Sequence, residues 1–345
     1  MSQLFPFPLP RETRAWFVAA LAALLMAVAP STLRAERLAK LVLAGPPAAV
    51  SVPLIHMIDS GALNDVAAQV EFVLWKDPDQ MRVLALGAKA DFMAMPSNVA
   101  ANLYNRGVGL RLLDISTWGA LWMLSRDPTL KTLADFRGKE IAVPFRADMP
   151  DIVFGLLAEK AGLDPKKDFR IRYVATPFDA MQLLITRRVD HALLAEPAVS
   201  MALRKTKSFP ISVIAPDLYR SVDLQKEWGR LFQRAPSIPQ AGIVALGHAA
   251  SDGALQAKVM AAYAHSLGYC QKNALTCGQM VAKRIDLLTP EAVADSIAAS
   301  QMRDVAASAA RGELEFFFQQ LQGRAPALIG GKLPDAAFFG TPGKP

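Results

Sequence analysis

Short apolar runs that alternate with helix-type periods constrain the fold of this chain more than any other feature. From residue 37, the runs LAKLVLA (38–44), QVEFVLW (69–75) and ADFMAM (90–95) predict buried strands, and the segments between them carry apolar residues at helical spacing. This strand–helix–strand order indicates an open α/β sheet with parallel crossovers. The chain has 345 residues, of which 52% are hydrophobic, so it can form one large or two medium lobes.

A second strand–helix series begins after Asp127-Pro128, and one more strand and a long helical region follow it. We therefore predict two α/β lobes, the first formed by residues 36–130 and 238–345 and the second by residues 131–237. Ligands of such sheets lie beyond the carboxyl ends of the strands, so we expect a ligand cleft between the lobes. The remaining strands are predicted at 110–116, 120–125, 140–144, 169–175, 189–195, 210–216 and 241–247.

The N-terminus has the organisation of an export signal. Arg11 and Arg14 precede an apolar stretch at 15–29, which has signal-peptide length and is short for a membrane span. We predict a signal peptide of residues 1–35, cleaved after Ala35, and an exported periplasmic chain; an uncleaved membrane anchor is the alternative. Cleavage removes three arginines and one glutamate, which lowers the formal net charge from +7 to +5.

The two cysteines, Cys270 and Cys277, stand seven residues apart in a chain that we expect to be exported. Their number and spacing suit one local disulfide, and two free thiols are the alternative. Two cysteines without a clustered histidine pair cannot supply the four ligands of a structural zinc site.

Composition and motifs argue against nucleic acid as a partner and against catalysis. The mature chain would be only mildly basic, and its short cationic spots are not interleaved with aromatic residues. The sequence has no glycine-rich nucleotide motif, no zinc-protease spacing and no nucleophile elbow. We therefore expect a binding protein with no catalytic residue, cofactor or metal. The four histidines are dispersed, at His56, His191, His248 and His265.

Residues at the predicted strand ends have binding character instead. Most follow a strand that ends in proline, where a helix N-terminus would face the cleft. The eight candidate ligand-binding residues are Ser97, Asn98, Trp118, Phe145, Arg146, Asp148, Phe178 and Glu196.

Several of these candidates have a structural alternative. Trp118 can form a flat cleft wall or belong to the core. Arg146 can clamp an anion or pair with Asp148 on the surface, and Asp148 can simply cap its helix. Ser97 and Asn98 can donate to an anion, cap their helix, or both. Arg146→Ala and Glu196→Ala are each expected to weaken ligand binding at least tenfold with little loss of thermal stability.

Four motifs occur in one order along the chain. They are Leu84-x-x-Gly87-x-x-Ala90-Asp91, Leu133-x-Asp135-x-x-Gly138-Lys139-x-Ile141-Ala142-Val143-Pro144, Glu159-Lys160-Ala161-Gly162-Leu163-Asp164-Pro165 and Asp190-His191-Ala192-x-x-x-Glu196-Pro197.

Together these motifs resemble the substrate-binding proteins of nitrate, sulfonate and taurine-type ABC importers, whose superfamily includes binding proteins for thiamine-pyrimidine precursors. The resemblance implies a two-lobed α/β periplasmic binding fold of the second type, with a small-molecule ligand in the interlobe cleft and closure on binding. It also implies an ABC permease in the inner membrane, driven by a cytoplasmic ATPase, as the partner. We expect the binding protein itself to be a monomer.

Two departures from that family bear on the ligand. The turn after IAVP reads Phe145-Arg146-Ala147-Asp148-Met149-Pro150 instead of being rich in serine and threonine, and its acidic residues would oppose a bare anion. The aromatic candidates favour a small organic solute, such as a sulfonate or a pyrimidine-like or related compound, with Glu196 accepting a hydrogen bond from an amino group. A periplasmic ligand sensor is the main alternative function. A thiamine-pyrimidine synthase-like enzyme is disfavoured, because the only cysteines lie late in the chain.

Overall fold

Two mixed β-sheets organise the chain in a computed structural model that describes residues 37–214 and 217–340. The predicted signal peptide, residues 1–35, lies outside the described residues. The strands are β1 (Leu38–Gly45), β2 (Ala67–Leu74), β3 (Phe92–Pro96), β4 (Leu110–Leu112), β5 (Asp114–Thr117), β6 (Leu121–Ser125), β7 (Glu140–Pro144), β8 (Arg170–Val174), β9 (His191–Ala195), β10 (Tyr219–Asp223), β11 (Ala241–Leu246) and β12 (Met302–Ala306).

Helices connect these strands, and most of the C-terminal third is helical. They are α1 (Val52–Asp59), α2 (Pro78–Leu86), α3 (Ser97–Asn105), α4 (Met149–Lys160), α5 (Pro177–Ile185), α6 (Ala198–Lys207), α7 (Ile211–Ile214), α8 (Leu224–Phe232), α9 (Gly253–Lys272), α10 (Ala274–Ala282), α11 (Pro290–Ala299) and α12 (Arg311–Arg324). Short 3-10 helices occur at Ala49–Ser51, Leu133–Phe136, Gly247–Ala250, Pro326–Ile329 and Ala336–Phe338.

The first sheet has the strand order β12-β5-β11-β3-β1-β2, with β4 paired to β11. Strand β1 runs parallel to β2 and β3, whereas β11 runs antiparallel to β3. The second sheet has the order β10-β6-β9-β7-β8, in which β7, β8 and β9 are parallel and β6 is antiparallel to β9. The parallel crossovers predicted from the sequence are therefore present, and each sheet also has antiparallel strands.

The chain passes from the first sheet to the second between β5 and β6, over residues 118–120. Strand β6, which the sequence analysis placed in the first lobe (36–130), pairs with β9 and β10 in the second sheet. Asp127-Pro128, where the sequence analysis began the second strand–helix series, thus lies in a loop between β6 and β7 of the second sheet. Gly119 permits close packing at the passage, because a Cβ added there would lie 2.5 Å from Cγ of Gln225.

Four further sequence predictions need correction. The segment 210–216 was expected to be a strand, but residues 211–214 form α7; a short apolar run does not distinguish a strand from a helix. The predicted strand 110–116 is divided into β4 and β5. Residues 217–238, where the sequence predicts no strand, contain β10 and α8. The C-terminal helical region contains the edge strand β12, whose sequence MRDVA includes two charged residues, Arg303 and Asp304.

The buried strands have near-continuous apolar sequences because helices cover both faces of each sheet. Leu41, Leu43 and Met93 are fully buried in the first sheet, as are Val143 and Leu193 in the second. Cys270, at the end of α9, forms a disulfide with Cys277 in α10, with a Cα–Cα distance of 5.6 Å. Among the described helices, none has the length and apolarity needed to cross a membrane.

Candidate functional site

A cavity of about 200 Å³ lies where the two sheets face each other. The first sheet contributes the segments that follow the carboxyl ends of β1, β2, β3 and β5, together with the start of β11. The second sheet contributes the segments that follow β7, β8 and β9, together with the start of β6. Because the antiparallel strands begin where the parallel strands end, all these segments lie at the facing edges, where ligands of α/β sheets bind.

The lining is predominantly apolar. Trp75, Met81, Met95, Leu121 and Met149 contribute to it, together with the two predicted aromatics, Phe145 and Phe178. Prolines are unusually frequent, since several strands end in proline and several helices begin with it: Pro46, Pro47, Pro78, Pro96, Pro150, Pro177 and Pro197. The polar residues of the lining are Lys76, Thr117, Asp148, Thr176, Glu196 and Gln240.

Asp148 lines the cavity, as predicted, but its partner was not foreseen from the sequence. The carboxylate accepts a hydrogen bond from Nη2 of Arg82 at 2.7 Å, and its side chain is only 6% exposed. Burial raises the pKa of the Asp148 carboxyl above its ordinary value, and the Arg82 charge opposes that rise. Arg82 lies on α2, which connects two strands of the first sheet, whereas Asp148 follows β7 of the second. The ion pair therefore joins segments attached to the two sheets.

Glu196 also lines the cavity, with its carboxylate turned to partners in its own lobe. It pairs with the guanidinium of Arg220 in β10 and accepts the backbone N–H of Ser200 at 3.1 Å. Burial raises the pKa of the Glu196 carboxyl, while the Arg220 charge lowers it. Because the side chain is fully buried and paired, Glu196→Ala would remove a structural contact, contrary to the small loss of stability expected from the sequence.

The other four candidates lie outside the cavity. The indole N–H of Trp118 donates to the carbonyls of Ile115 and Arg303, so this ring belongs to the core of the first sheet. The Ser97 hydroxyl donates to the Pro239 carbonyl at 2.5 Å and does not cap α3, whose N-cap residue is Pro96.

Asn98 and Arg146 are the remaining candidates outside it. Asn98 is buried and lines a separate hollow that also includes Arg82. Arg146 is exposed, and its guanidinium carbon lies 5.1 Å from the centroid of the Tyr173 ring. The pairing with Asp148 that the sequence suggested for Arg146 is not present, because Asp148 is paired with Arg82.

Thr117 and Gln240 are lining residues that the sequence analysis missed. Both are buried, and the Gln240 backbone N–H donates to the Thr117 carbonyl at 3.0 Å, so they lie side by side on β5 and before β11. The Thr117 hydroxyl is buried without a hydrogen-bond partner in the described chain. Thr117 directly follows the predicted strand 110–116, so the expectation that ligand-binding residues lie at strand ends applies to it as well.

The turn after β7 has an unusual backbone. Phe145 and Ala147 have φ values of 56° and 62°, a left-handed conformation that side-chain-bearing residues adopt rarely. Such conformations are kept where the surrounding structure requires them, and they concentrate at binding sites. Here the turn brings the Phe145 ring and the Asp148 carboxylate to the same cavity.

Comparison with solved structures places this architecture among known folds. The chain is similar to an ABC transporter from Parabacteroides distasonis, with 20% identity, a TM-score of 0.71 and coverage of 88% of this chain and 99% of that chain. It is similar to the periplasmic aliphatic sulphonate binding protein SsuA from Escherichia coli, with 14% identity, a TM-score of 0.63 and coverage of 86% and 92%. It is also similar to the periplasmic nitrate-binding protein NrtA from Synechocystis PCC 6803, with 15% identity, a TM-score of 0.60 and coverage of 75% of this chain and 69% of that chain.

These likenesses confirm the predicted fold class, that of two-lobed periplasmic binding proteins. At such low identities they establish the fold alone. No family model matches the chain, and no curated protein matches it. The described residues contain no group of three or more histidine, cysteine, aspartate or glutamate side chains that could hold a metal ion.

Proposed function

We propose that the mature chain is a periplasmic solute-binding protein that captures a small organic solute between its lobes and delivers it to an ABC permease of the inner membrane. The observation that carries this proposal is the apolar cavity between the facing strand ends of the two sheets, in a fold shared with binding components of ABC import systems. A cytoplasmic ATPase would drive the permease, and the binding protein would act as a monomer without cofactor or catalytic step.

Closure of the lobes is supported by the residues around the cavity. Lining residues from both sheets contact the same volume, so a ligand there touches both lobes only when they are close together. A ligand that contacts both lobes binds the closed form better and shifts the population toward it. The Arg82–Asp148 pair is a further contact made between segments attached to the two sheets.

Binding is tested by a thermal-shift screen of the purified chain 36–345. The panel contains sulfonates, nitrate, pyrimidines, amino acids, aromatic acids and neutral aromatic compounds. A compound present at 100 times its dissociation constant adds about 2.7 kcal/mol to the free energy of unfolding. We expect a clear shift with one class of compound.

Ala241→Leu is the matched test of the site, because Ala241 lines the cavity at the start of β11 and a leucine there fills it. Ala306→Leu in β12, also partly buried but outside the lining, is the control. The shift should vanish in the first variant and persist in the second. Absence of any shift across the panel contradicts the proposed binding function.

Transport is tested in the organism that encodes the chain. Deleting the gene should abolish uptake of the radiolabelled compound, and the wild-type gene should restore uptake while Ala241→Leu should not. Unchanged uptake after deletion, for a compound that the purified chain binds, contradicts delivery to a permease and favours a sensor.

A further inference from the structure

The two carboxylates that line the cavity are already paired within the chain. The carboxylates of Asp148 and Glu196 are bound by Arg82 and Arg220, so a cationic ligand finds no carboxylate that is not already engaged in an ion pair. An anionic ligand would come close to both carboxylates. Lys76 is the cationic residue of the described lining, and it is exposed to solvent. Burying an unpaired charge in an apolar cavity is strongly unfavourable.

Side chains of the protein also bind several N–H groups at the helix N-termini around the cavity. The Asp77 carboxylate accepts the backbone N–H groups of Asp79 and Gln80 at the start of α2, and the Thr176 hydroxyl accepts that of Asp179 in α5. Pro78 and Pro177, at the first helical positions, have no N–H. At α6, the Ser200 N–H is bound by Glu196. Four of the N–H donors at these three helices, those of Asp79, Gln80, Asp179 and Ser200, are therefore occupied by the chain's own side chains.

Thr117 supplies the one buried hydroxyl of the described lining that lacks a partner. Its residue is only 6% exposed, and a buried polar group without a hydrogen bond costs about 1–3 kcal/mol. When the Thr117 side chain rotates to turn its hydroxyl into the cavity, a ligand with a hydroxyl or carbonyl group can remove that cost, because the threonine hydroxyl both donates and accepts.

The cavity volume limits the size of the occupant. Its volume is about 200 Å³. For comparison, an apolar protein cavity of about 150 Å³ stays dry and binds benzene. The volume and the apolar lining thus fit one substituted ring better than a larger solute.

We propose that the occupant is an uncharged organic molecule about the size of a substituted benzene ring, whose single hydroxyl or carbonyl group hydrogen-bonds to Thr117. The inference rests on the proposed binding function and specifies its substrate class. It excludes sulfonate, nitrate and ammonium groups from the interior of the cavity.

Five compounds with the same ring test the charge of the occupant: benzyl alcohol, toluene, benzoate, benzenesulfonate and benzylammonium. Their affinities for the chain 36–345 are measured by titration calorimetry, or by ligand-observed NMR where binding is weak. We expect benzyl alcohol to bind tightest and the three ions at least tenfold more weakly. Tighter binding of an ion than of benzyl alcohol overturns the inference and leaves the proposed binding function intact.

Thr117→Val tests the position of the polar group, since it replaces the hydroxyl by a methyl group of similar volume. Loss of one neutral hydrogen bond should weaken benzyl alcohol binding about three- to tenfold, while toluene binding should be unchanged or tighter. The control is Thr206→Val in α6, a buried threonine outside the cavity, whose hydroxyl is bound to the Ala202 carbonyl. Equal losses for benzyl alcohol and toluene in Thr117→Val overturn the assigned contact.

The wider panel separates failure of the inference from failure of the function. If none of the five compounds binds while another panel compound does, the inference is overturned and the binding function stands. If nothing in either set binds, the proposed function itself is overturned.

Discussion

Arg82 and Asp148 are 66 residues apart in the sequence, yet Nη2 of the arginine lies 2.7 Å from Oδ2 of the aspartate. Arg82 lies on α2, which connects β2 and β3 of the first sheet, and Asp148 lies in the turn after β7 of the second sheet. The carboxylate is nearly inaccessible to water, whereas the arginine is 38% exposed. The two partners therefore differ in what their loss does to the cleft.

Arg82→Met should favour an open cleft. It leaves the Asp148 carboxylate buried without its cation, and separation of the lobes is the simplest way for that group to reach water. We expect a larger radius of gyration by small-angle scattering and at least tenfold weaker binding of benzyl alcohol. Asp148→Asn should have a smaller effect, because the amide is neutral and Arg82 remains partly hydrated.

The double variant Arg82→Met/Asp148→Asn is the internal control for this pair. It removes both charges, so most of the affinity lost in Arg82→Met should return. Arg106→Met, at an exposed arginine after α3, should leave both readouts unchanged. Equal scattering and affinity for Arg82→Met and Arg106→Met would contradict a role of the pair in closure.

The Glu196–Arg220 pair predicts a loss of stability. Arg220→Met leaves the fully buried Glu196 carboxylate without its cation, which should cost about 3–5 kcal/mol of unfolding free energy. Glu196→Gln combined with Arg220→Met should recover a large part of that loss. Denaturant unfolding of the three proteins measures both effects, and an Arg220→Met variant as stable as the wild type contradicts the assignment.

Asp114 predicts a pH dependence of stability. Its Oδ1 accepts the Ile243 N–H at 2.5 Å, while Oδ2 is buried without a donor, and the carboxyl of Asp304 lies next to it. Burial raises the pKa of the Asp114 carboxyl well above 3.8, and the Asp304 charge adds to the rise. The folded state thus binds more protons than the unfolded state above pH 3.8, so stability should fall as the pH rises through that window.

Asp114→Asn should reduce this pH dependence, because the amide resembles the protonated carboxyl and does not titrate. For each additional proton that the folded state binds relative to the unfolded state, the unfolding free energy falls by up to about 1.4 kcal/mol per pH unit. Unfolding by guanidinium between pH 4.5 and 8 compares the slopes of wild type and variant. Parallel slopes would show that Asp114 does not hold a proton in the folded state.

The disulfide closes a short loop between α9 and α10. In the chain-entropy account, a loop of this length stabilises the folded state by about 2–3 kcal/mol. Cys270→Ala/Cys277→Ala should therefore lower the unfolding free energy by a similar amount, and dithiothreitol should destabilise the wild type but not the variant. If dithiothreitol does not change the unfolding free energy of the wild type, Cys270 and Cys277 are free thiols in solution.

Local patterns predicted much of the fold. The strands β1, β3, β7 and β9 carry apolar runs that end in proline, glycine or a polar turn, and this signal lies within a few residues of sequence. Strand β12 could not be found in this way, because its polar residues suit an exposed edge, and α7 was mistaken for a strand.

The candidate site was predicted less completely, for a physical reason. Phe145, Asp148, Phe178 and Glu196 follow strand ends that meet at one edge, so topology alone brings them to the cavity. Ion-pair partners depend on packing between distant segments, and no local signal identified Arg82 or Arg220. For the same reason, the sequence left open whether Trp118 forms a wall of the cleft or belongs to the core. Its hydrogen bonds to the Ile115 and Arg303 carbonyls show that it belongs to the core.

The most direct test of the account is titration calorimetry of the chain 36–345 with the tightest-binding compound of the panel, beside the Ala241→Leu and Ala306→Leu variants. We predict one molecule bound per chain in the wild type and in Ala306→Leu, and binding at least tenfold weaker in Ala241→Leu. Equal affinity in all three proteins would show that the ligand binds elsewhere, and would contradict the assignment of the interlobe cavity as the binding site.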